Sequence, residues 1–210
     1  MGTWLPLGLL AALPIAALLG SIPTGYALGA LWGDLDVRAQ GSGNIGATNV
    51  NRLLGWRLGA LTLGLDAAKG ALPTAMGAWL WPDLPAAAVL GLLAFAGHCW
   101  SPLLDGRGGK GVATAAGVGM VLAPLATLCA IATWALLVGL TRRSSVGALA
   151  AAIVLPVLAL TGGASSPWAL LLLAVGVLLR HRTNLERLWR GAELGLTDPR
   201  PAARSETHQG

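Results

Sequence analysis

Apolar residues in this chain come in long runs rather than in the alternation of an amphipathic helix or strand. The runs lie near 4–31, 58–80, 85–101, 111–122, 124–140, 145–161 and 166–180, with short segments rich in Gly, Ser, Asn and Arg between them. About 20 apolar residues cross a bilayer as one helix. The pattern therefore predicts an all-α polytopic membrane protein with about seven transmembrane helices. Pro14, Pro23, Pro73 and several Gly interrupt the first two runs, which predicts kinks there. The run 111–122 reaches only about 18 Å as a helix, against a hydrocarbon core of about 30 Å. It either thins the bilayer locally or fuses with the next run across Pro124, so the count is six or seven.

Composition and charge narrow this picture. The 210 residues are 55% hydrophobic and 11% charged, with a mean hydropathy of +0.68. Soluble domains carry about 25% charged residues, so a soluble fold would lack polar surface. Seven Trp (Trp4, Trp32, Trp56, Trp79, Trp81, Trp100 and Trp168) sit near run ends, where indole prefers the membrane interface. The net charge is +5, but the basic residues are dispersed between runs, which argues for anionic lipid or anionic substrates and against nucleic acid. Placing the N-terminus outside puts Arg38, Arg52, Arg57, Arg107, Lys110, Arg142, Arg143 and the segment from Arg180 onward inside, with no Lys or Arg near 81–84 or 162–165. This is the positive-inside pattern; it favours seven helices and a cytoplasmic C-terminus. No Lys or Arg precedes Arg38, so the first run is expected to be a retained span rather than a cleaved signal. Cys99 and Cys129 have no zinc-type spacing and read as small buried residues. Residues 1–193 are expected to form a single transmembrane domain and 194–210 a disordered cytoplasmic tail. Gly111, Ala115 and Gly119 recur at a spacing that lets helices approach closely in lipid.

The candidate chemistry lies in the polar segments. The segment G-S-G-N-I-G-A-T-N-V-N-R at 41–52 matches the dinucleotide fingerprint through Gly41, Gly43 and Gly46, with Asp66 about twenty residues later. That fingerprint needs a preceding strand and a βαβ unit, whereas a membrane run precedes it here, so a Rossmann domain is rejected. The local physics remains. The glycines are expected to curl the backbone and turn its N–H groups toward an anion. Ser42, Asn44, Thr48 and Asn49 add hydrogen-bonding groups, and Arg52 adds a planar fork suited to phosphate. The segment D-G-R-G-G-K-G-V-A-T at 105–114 is not a Walker A loop, because Gly111 follows Lys110. Gly108, Gly109 and Gly111 around Lys110, opening a helix that includes Thr114, still have the makings of a phosphate cradle.

Asp66 and Lys69 stand at i and i+3 inside a span, on one helix face. Intramembrane charges are costly. The pair either neutralises itself and ties helices together, or positions the Lys69 cation at the floor of a site with Asp66 in support. His98, near a span end, satisfies a backbone partner or, second, touches substrate. Ser144 or Ser145 in T-R-R-S-S-V-G donates to a phosphate or caps the next helix. The segment 180–193 is strongly basic, consistent with a helix resting on anionic lipid. His181 and Glu186 have an H-x-x-x-x-E spacing, close to the H-x-x-x-x-D of coenzyme-A-dependent acyltransferases, but this is read as coincidence.

Four strings taken in order resemble one family: G-S-G-N-I-G-A-T-N-V-N-R, D-A-A-K-G-A-L-P, G-H-C-W-S-P-L-L-D-G-R-G-G-K-G-V-A-T and R-H-R-T-N-L-E-R-L-W-R-G-A-E. They are similar to the bacterial integral-membrane glycerol-3-phosphate acyltransferases that use acyl-phosphate. Asp105, Gly106 and Arg107 stand where that family more often has Gly, Phe and Lys. The resemblance implies a seven-helix bundle in the cytoplasmic (inner) membrane, with its active site facing the cytoplasm. It implies transfer of a fatty acyl group from acyl-phosphate to the 1-hydroxyl of glycerol 3-phosphate, giving lysophosphatidic acid and phosphate, the first acylation of phospholipid biosynthesis. No coenzyme A, cofactor or metal is implied; the soluble enzyme that makes acyl-phosphate is an implied partner. Substrate-contacting roles carry over to Ser42, Arg52, Lys110, Ser145, His181 and Asn184. Two phosphorylated substrates bring up to about four negative charges, which Arg52, Lys69, Lys110, Arg180 and His181 would balance. The general base is His181 or the phosphate of the acyl-phosphate. The rival readings are an organic-anion transporter and a non-catalytic lipid-binding scaffold.

Overall fold

The computed structural model describes residues 6–83 and 85–198. Every regular element among them is a helix. α1 (Leu7–Ser21) and α2 (Thr24–Gly33) are followed by the short α3 (Ala47–Leu54) and the long α4 (Trp56–Leu80). α5 (Ala86–Cys99) leads through a 3₁₀ turn (Pro102–Leu104) and the glycine-rich loop into α6 (Val112–Leu122). α7 (Pro124–Thr141), α8 (Ser144–Thr161), α9 (Pro167–Arg180) and α10 (Arg182–Trp189) complete the chain. No strand occurs among the described residues, in keeping with the rejection of a Rossmann domain.

Local sequence explains the breaks. Proline disfavours a helical residue before it and lacks an N–H. Ile22, before Pro23, has ψ 117°, and the first apolar run divides there into α1 and α2. Ala123, before Pro124, is extended at φ −155°, so α6 and α7 do not fuse. α6 remains a separate short helix of 11 residues. Pro14, Pro73 and Pro156 stay inside helices.

Among the described residues, four helical stretches are long and apolar enough to cross a membrane: Leu7–Gly33, Ala86–Leu104, Pro124–Thr141 and Ser144–Thr161. Leu125, Leu136 and Leu140 of α7 and Ile153 and Leu160 of α8 are exposed. These are lipid-facing positions for a protein of this composition. Trp32, Trp56, Trp79, Trp100 and Trp168 are likewise exposed, at or beside helix ends; Trp4 lies outside the described residues.

The helices pack through small residues. α1 lies on α5, and α4 lies between α5 and α6. A Cβ on Gly97 would stand 2.1 Å from Ala17 O, and one on Gly117 would stand 2.0 Å from Ala67 O. Only glycine permits these backbone approaches, which supply packing where lipid removes the hydrophobic drive. Close α4–α6 approaches thus fall at Gly117 and at Gly70, whose Cβ would stand 2.2 Å from Thr114 O, rather than at the Ala115 and Gly119 of the expected stripe. Gly119 instead meets the side chain of Thr127 on α7. α7, α8 and α9 follow as neighbours, with a core that includes Phe95, Val118, Leu155, Leu170 and Leu173.

Candidate active site

The four polar segments meet at one end of the bundle. Thr48 Oγ1 on α3 lies 3.1 Å from Ser144 Oγ at the start of α8. Lys110 Nζ donates to Asn184 Oδ1 of α10 at 2.5 Å. Arg52 donates through Nε and Nη2 to Gly195 O at 3.2 and 2.7 Å. Between them lies a cavity of about 350 Å³. Ser42, Asn44, Gly46, Thr48, Asn49, Arg52, Asp66, His98, Lys110, Gly111, Ser145, His181 and Asn184 all line it. Segments 41–52 and 105–114 therefore share one chamber.

The first glycine-rich loop works differently from the sequence expectation. Three of its amides are consumed internally rather than offered to a ligand. Ser42 N–H donates to Asn49 Oδ1 at 2.9 Å, Gly43 N–H to Gln40 O at 3.0 Å and Gly46 N–H to Asn44 Oδ1 at 2.8 Å. Asn49 is buried, and its Nδ2 donates to Val37 O and Gln40 O. Asn49 and Asn44 therefore pin the loop. Gly41 and Gly43 hold positive φ, and a Cβ on Gly41 would stand 2.3 Å from Asn49 Oδ1. What the loop presents to the cavity is side chains, chiefly Ser42, Thr48 and Arg52. Gly43 itself is not a wall residue.

The second loop follows the same logic up to Lys110. Gly109 N–H donates to His98 O, and the carbonyls of Gly109 and Gly108 accept from Arg180 Nε at 3.0 Å and Nη2 at 2.9 Å. A Cβ on Gly108 would stand 2.0 Å from His98 O, and one on Gly109 2.1 Å from His98 Nε2. Gly108 and Gly109 thus serve close packing rather than ligand binding. Arg180 is a clamp on the loop, with its guanidinium over the Trp100 ring. Beyond the clamp the N-terminus of α6 opens onto the cavity, with Lys110, Gly111, Val112 and Ala113 in the wall. Helix N-termini favour anions. Thr114 is fully buried with an unpartnered Oγ1 and does not reach the wall.

A relay of contacts fixes the cation. Lys110 donates to Asn184, whose Nδ2 donates to Glu193 Oε1 at 2.6 Å, and Arg187 Nε donates to Glu193 Oε2 at 2.8 Å. Burial, then the nearby Arg187, pushes the Lys110 ammonium down to about 8. Burial opposes the charge on Glu193, but the Ser145 hydroxyl, then Arg187 and Asn184, outweigh it and hold the carboxyl below its ordinary value. Ser145 stands beside the same carboxylate, with its buried Oγ outside normal hydrogen-bond geometry. Burial also lowers the Arg52 guanidinium.

His181 is buried, and its Nδ1 lies 2.8 Å from Val177 O. A carbonyl accepts only, so Nδ1 carries the proton and Nε2 keeps its lone pair in the neutral ring. Burial, then Lys110, pushes His181 down to about 4, and the ring is neutral near pH 7.

Lys69 does not reach the cavity. Its ammonium donates to Ile22 O at 2.5 Å and to Asp66 Oδ1 at 2.6 Å, and Thr24 donates to the same carboxylate oxygen. The proline break between α1 and α2 frees the Ile22 carbonyl, and Lys69 caps it. The pair ties α4 to that break, which is the structural alternative of the two. Asp66 and His98 do form part of the wall, with His98 Nδ1 3.7 Å from Asp66 Oδ1 and without a hydrogen-bond partner. The ring of His98 therefore does not serve a backbone partner; its own carbonyl does, through Gly109.

Comparison with known proteins decides what such a site belongs to. Residues 10–191 match the family model described as glycerol-3-phosphate acyltransferase. The chain belongs to this family. It is 48% identical over 181 residues to the glycerol-3-phosphate acyltransferase of Trichlorobacter lovleyi, covering 85% of this chain and 92% of that one. The enzyme of the same name from Syntrophotalea carbinolica is 46% identical over 182 residues, with the same shares of the two chains covered. Among solved structures, the glycerol 3-phosphate form of PlsY (YgiH), an integral membrane glycerol 3-phosphate acyltransferase, superposes with TM-score 0.85 at 32% identity. That match covers 90% of this chain and 95% of PlsY. The lysophosphatidic acid form of PlsY gives TM-score 0.83 at 31% identity. This acyltransferase is accordingly a multi-pass membrane enzyme.

The sequence reading missed Glu193 and Leu194, which also line the cavity. The acid that serves the basic segment is Glu193; Glu186, of the H-x-x-x-x-E spacing, is exposed on α10. An acid closing the string of arginines, second after Glu186, was the available signal. Residues 194–198, assigned to the tail, lie against the bundle: Leu196 N–H donates to Arg142 O at 2.9 Å, and Gly195 N–H donates to Asp198. Residues 199–210 lie outside the described residues.

Proposed function

We propose that this acyltransferase uses acyl-phosphate as donor and acylates the 1-hydroxyl of glycerol 3-phosphate, releasing lysophosphatidic acid and phosphate. The observation that carries this reading is one continuous cavity with two ends of opposite character. Arg52, Lys110, Ser42 and Ser145 stand at the polar end, and Ala148, Ala152, Leu155 and Leu173 line the apolar end. An acyl-phosphate has that same division, and PlsY has been solved in forms with glycerol 3-phosphate and lysophosphatidic acid.

In the proposed reaction Arg52 and Lys110 neutralise the two phosphates, helped by the N-terminus of α6. Binding fixes the acceptor hydroxyl beside the acyl carbonyl, the proximity contribution. The hydroxyl oxygen attacks, the carbonyl oxygen takes up negative charge beside Lys110, and the bond from the acyl carbon to the phosphate oxygen then breaks. The proton goes to His181 Nε2 or directly to the leaving phosphate. A phosphate with a second pKa of about 6 is a stronger base than a ring held near 4. We therefore assign proton uptake to the phosphate and the role of hydrogen-bond acceptor to His181. Seven spans with the N-terminus outside, a cytoplasmic site in the bacterial inner membrane and supply of acyl-phosphate by a soluble enzyme complete the proposal; the positive-inside distribution supports the orientation.

The test is acyl transfer by the purified enzyme in lipid, with palmitoyl-phosphate compared with palmitoyl-coenzyme A. Lysophosphatidic acid is expected from the first alone. Product from the thioester at a similar rate would overturn the donor assignment.

A further inference from the structure

The apolar end of the cavity has a floor. On α8 the wall residues Ser145, Ala148, Ala152 and Leu155 fall on one helix face, and on α9 the wall descends from His181 through Val177 to Leu173. Thr127 of α7, itself in the wall, marks the bottom: a Cβ on Gly119 of α6 would lie 2.5 Å from its Oγ1, and Ala159 and Leu170, which are not wall residues, are buried in the core. Ser145 to Leu155 measures about 15 Å along the helix, and His181 to Leu173 about 12 Å. An extended chain advances roughly 1.2 Å per bond, taking the peptide backbone as the gauge. The groove therefore holds about ten to twelve carbons beyond the polar end. A longer chain has to leave sideways, where Leu63 and Ile131 stand exposed in the wall.

We propose that Ala152 and Leu155 of α8 set the length of acyl chain that the groove encloses, and so the length that the enzyme favours. The proposal rests on the acyltransferase reading above. Ala152 leaves the passage open because its side chain is one carbon, and Leu155 closes it one turn deeper. The two positions differ by about 4.5 Å of helix, or roughly four carbons of chain. Discrimination here is steric. In a bilayer the competing environment of the chain is lipid, as apolar as the groove, so added carbons gain little on entry.

The experiment is a competition. Purified enzyme in lipid vesicles receives octanoyl-phosphate and palmitoyl-phosphate together with glycerol 3-phosphate, and the two lysophosphatidic acids are quantified. Ala152→Leu should raise the octanoyl-to-palmitoyl product ratio at least about tenfold over the unaltered enzyme, the scale of discrimination by one or two methylenes in a pocket. Leu155→Ala should lower the ratio about threefold or more. Should Ala152→Leu fail to fold, Leu155→Ala decides alone. A ratio that stays within about twofold, or moves the other way, in every folded variant overturns the length gauge. Absence of both products from the unaltered enzyme overturns the acyl-phosphate reading instead.

Discussion

Two lysines in apolar surroundings, Lys69 and Lys110, end in different employment. Lys69 meets a carboxylate directly, at 2.6 Å from Asp66, and a main-chain carbonyl at 2.5 Å. Its charge is spent where it stands. Lys110 meets a neutral amide, and the nearest acid of its relay, Glu193, lies one residue further on. Its charge is oriented but not cancelled. The difference teaches that an anion site needs a cation whose counter-charge is held at one remove.

The comparison breaks most visibly by deletion. Lys110→Ala should lower kcat/KM by about 10²–10³-fold, the scale of losing one transition-state donor, with little change in thermal stability in detergent. Lys69→Met should do the reverse first. It leaves Asp66 buried and unpaired, at a cost of about 3–5 kcal/mol of stability, and Asp66→Leu added to it should recover most of that loss. A stable Lys69→Met enzyme with selectively lost activity would erase the distinction between the two lysines.

Next in size is His181→Gln, expected to reduce turnover about ten- to a hundredfold through loss of the Nε2 acceptor. The shape of the pH profile should persist. Disappearance of the acid limb would instead return His181 to the role of base. Glu193→Gln sharpens the comparison in the same range: it removes the charge behind Asn184, and kcat/KM should fall about tenfold.

The subtlest effect is in pH. Lys110 is lowered to about 8 from an ordinary 10.5, so kcat/KM should decline as pH rises through about 8, and Lys110→Arg should move that limb upward. The sign for stability is opposite. Between about 8 and 10.5 the unfolded chain binds the Lys110 proton and the folded chain does not, so this group adds stability with rising pH across that window. Activity and unfolding measured over pH 7–11 should therefore diverge, and Lys69→Met in the Asp66→Leu background should not remove the divergence.

The membrane class was legible because span hydropathy is local, and the cavity residues Ser42, Arg52, Lys110, His181 and Asn184 were legible because their strings resemble one family. Less was legible about what the glycines do. The densities at 41–46 and 106–111 suggested free amides, whereas the amides of Ser42, Gly43, Gly46 and Gly109 are taken up by Asn49, Gln40, Asn44 and His98. Those partners are side chains and carbonyls whose reach depends on the turn the loop adopts. Pro23 was readable as a kink, not as a full break at Ile22, and nothing showed that Lys69, 47 positions later, would cap that break.

By itself the sequence determined that this chain partitions into lipid as helices, that prolines interrupt its apolar runs, and to which enzyme family it belongs. Hydropathy sums along neighbouring residues, and proline acts on the residue beside it, so both operate without the fold. Only the tertiary structure decided which polar groups remain open to substrate. Whether a donor is free depends on what stands opposite: Arg52 meets Gly195, 143 positions away, and Arg180 meets Gly108 across 72. Such pairings are settled by how helices pack.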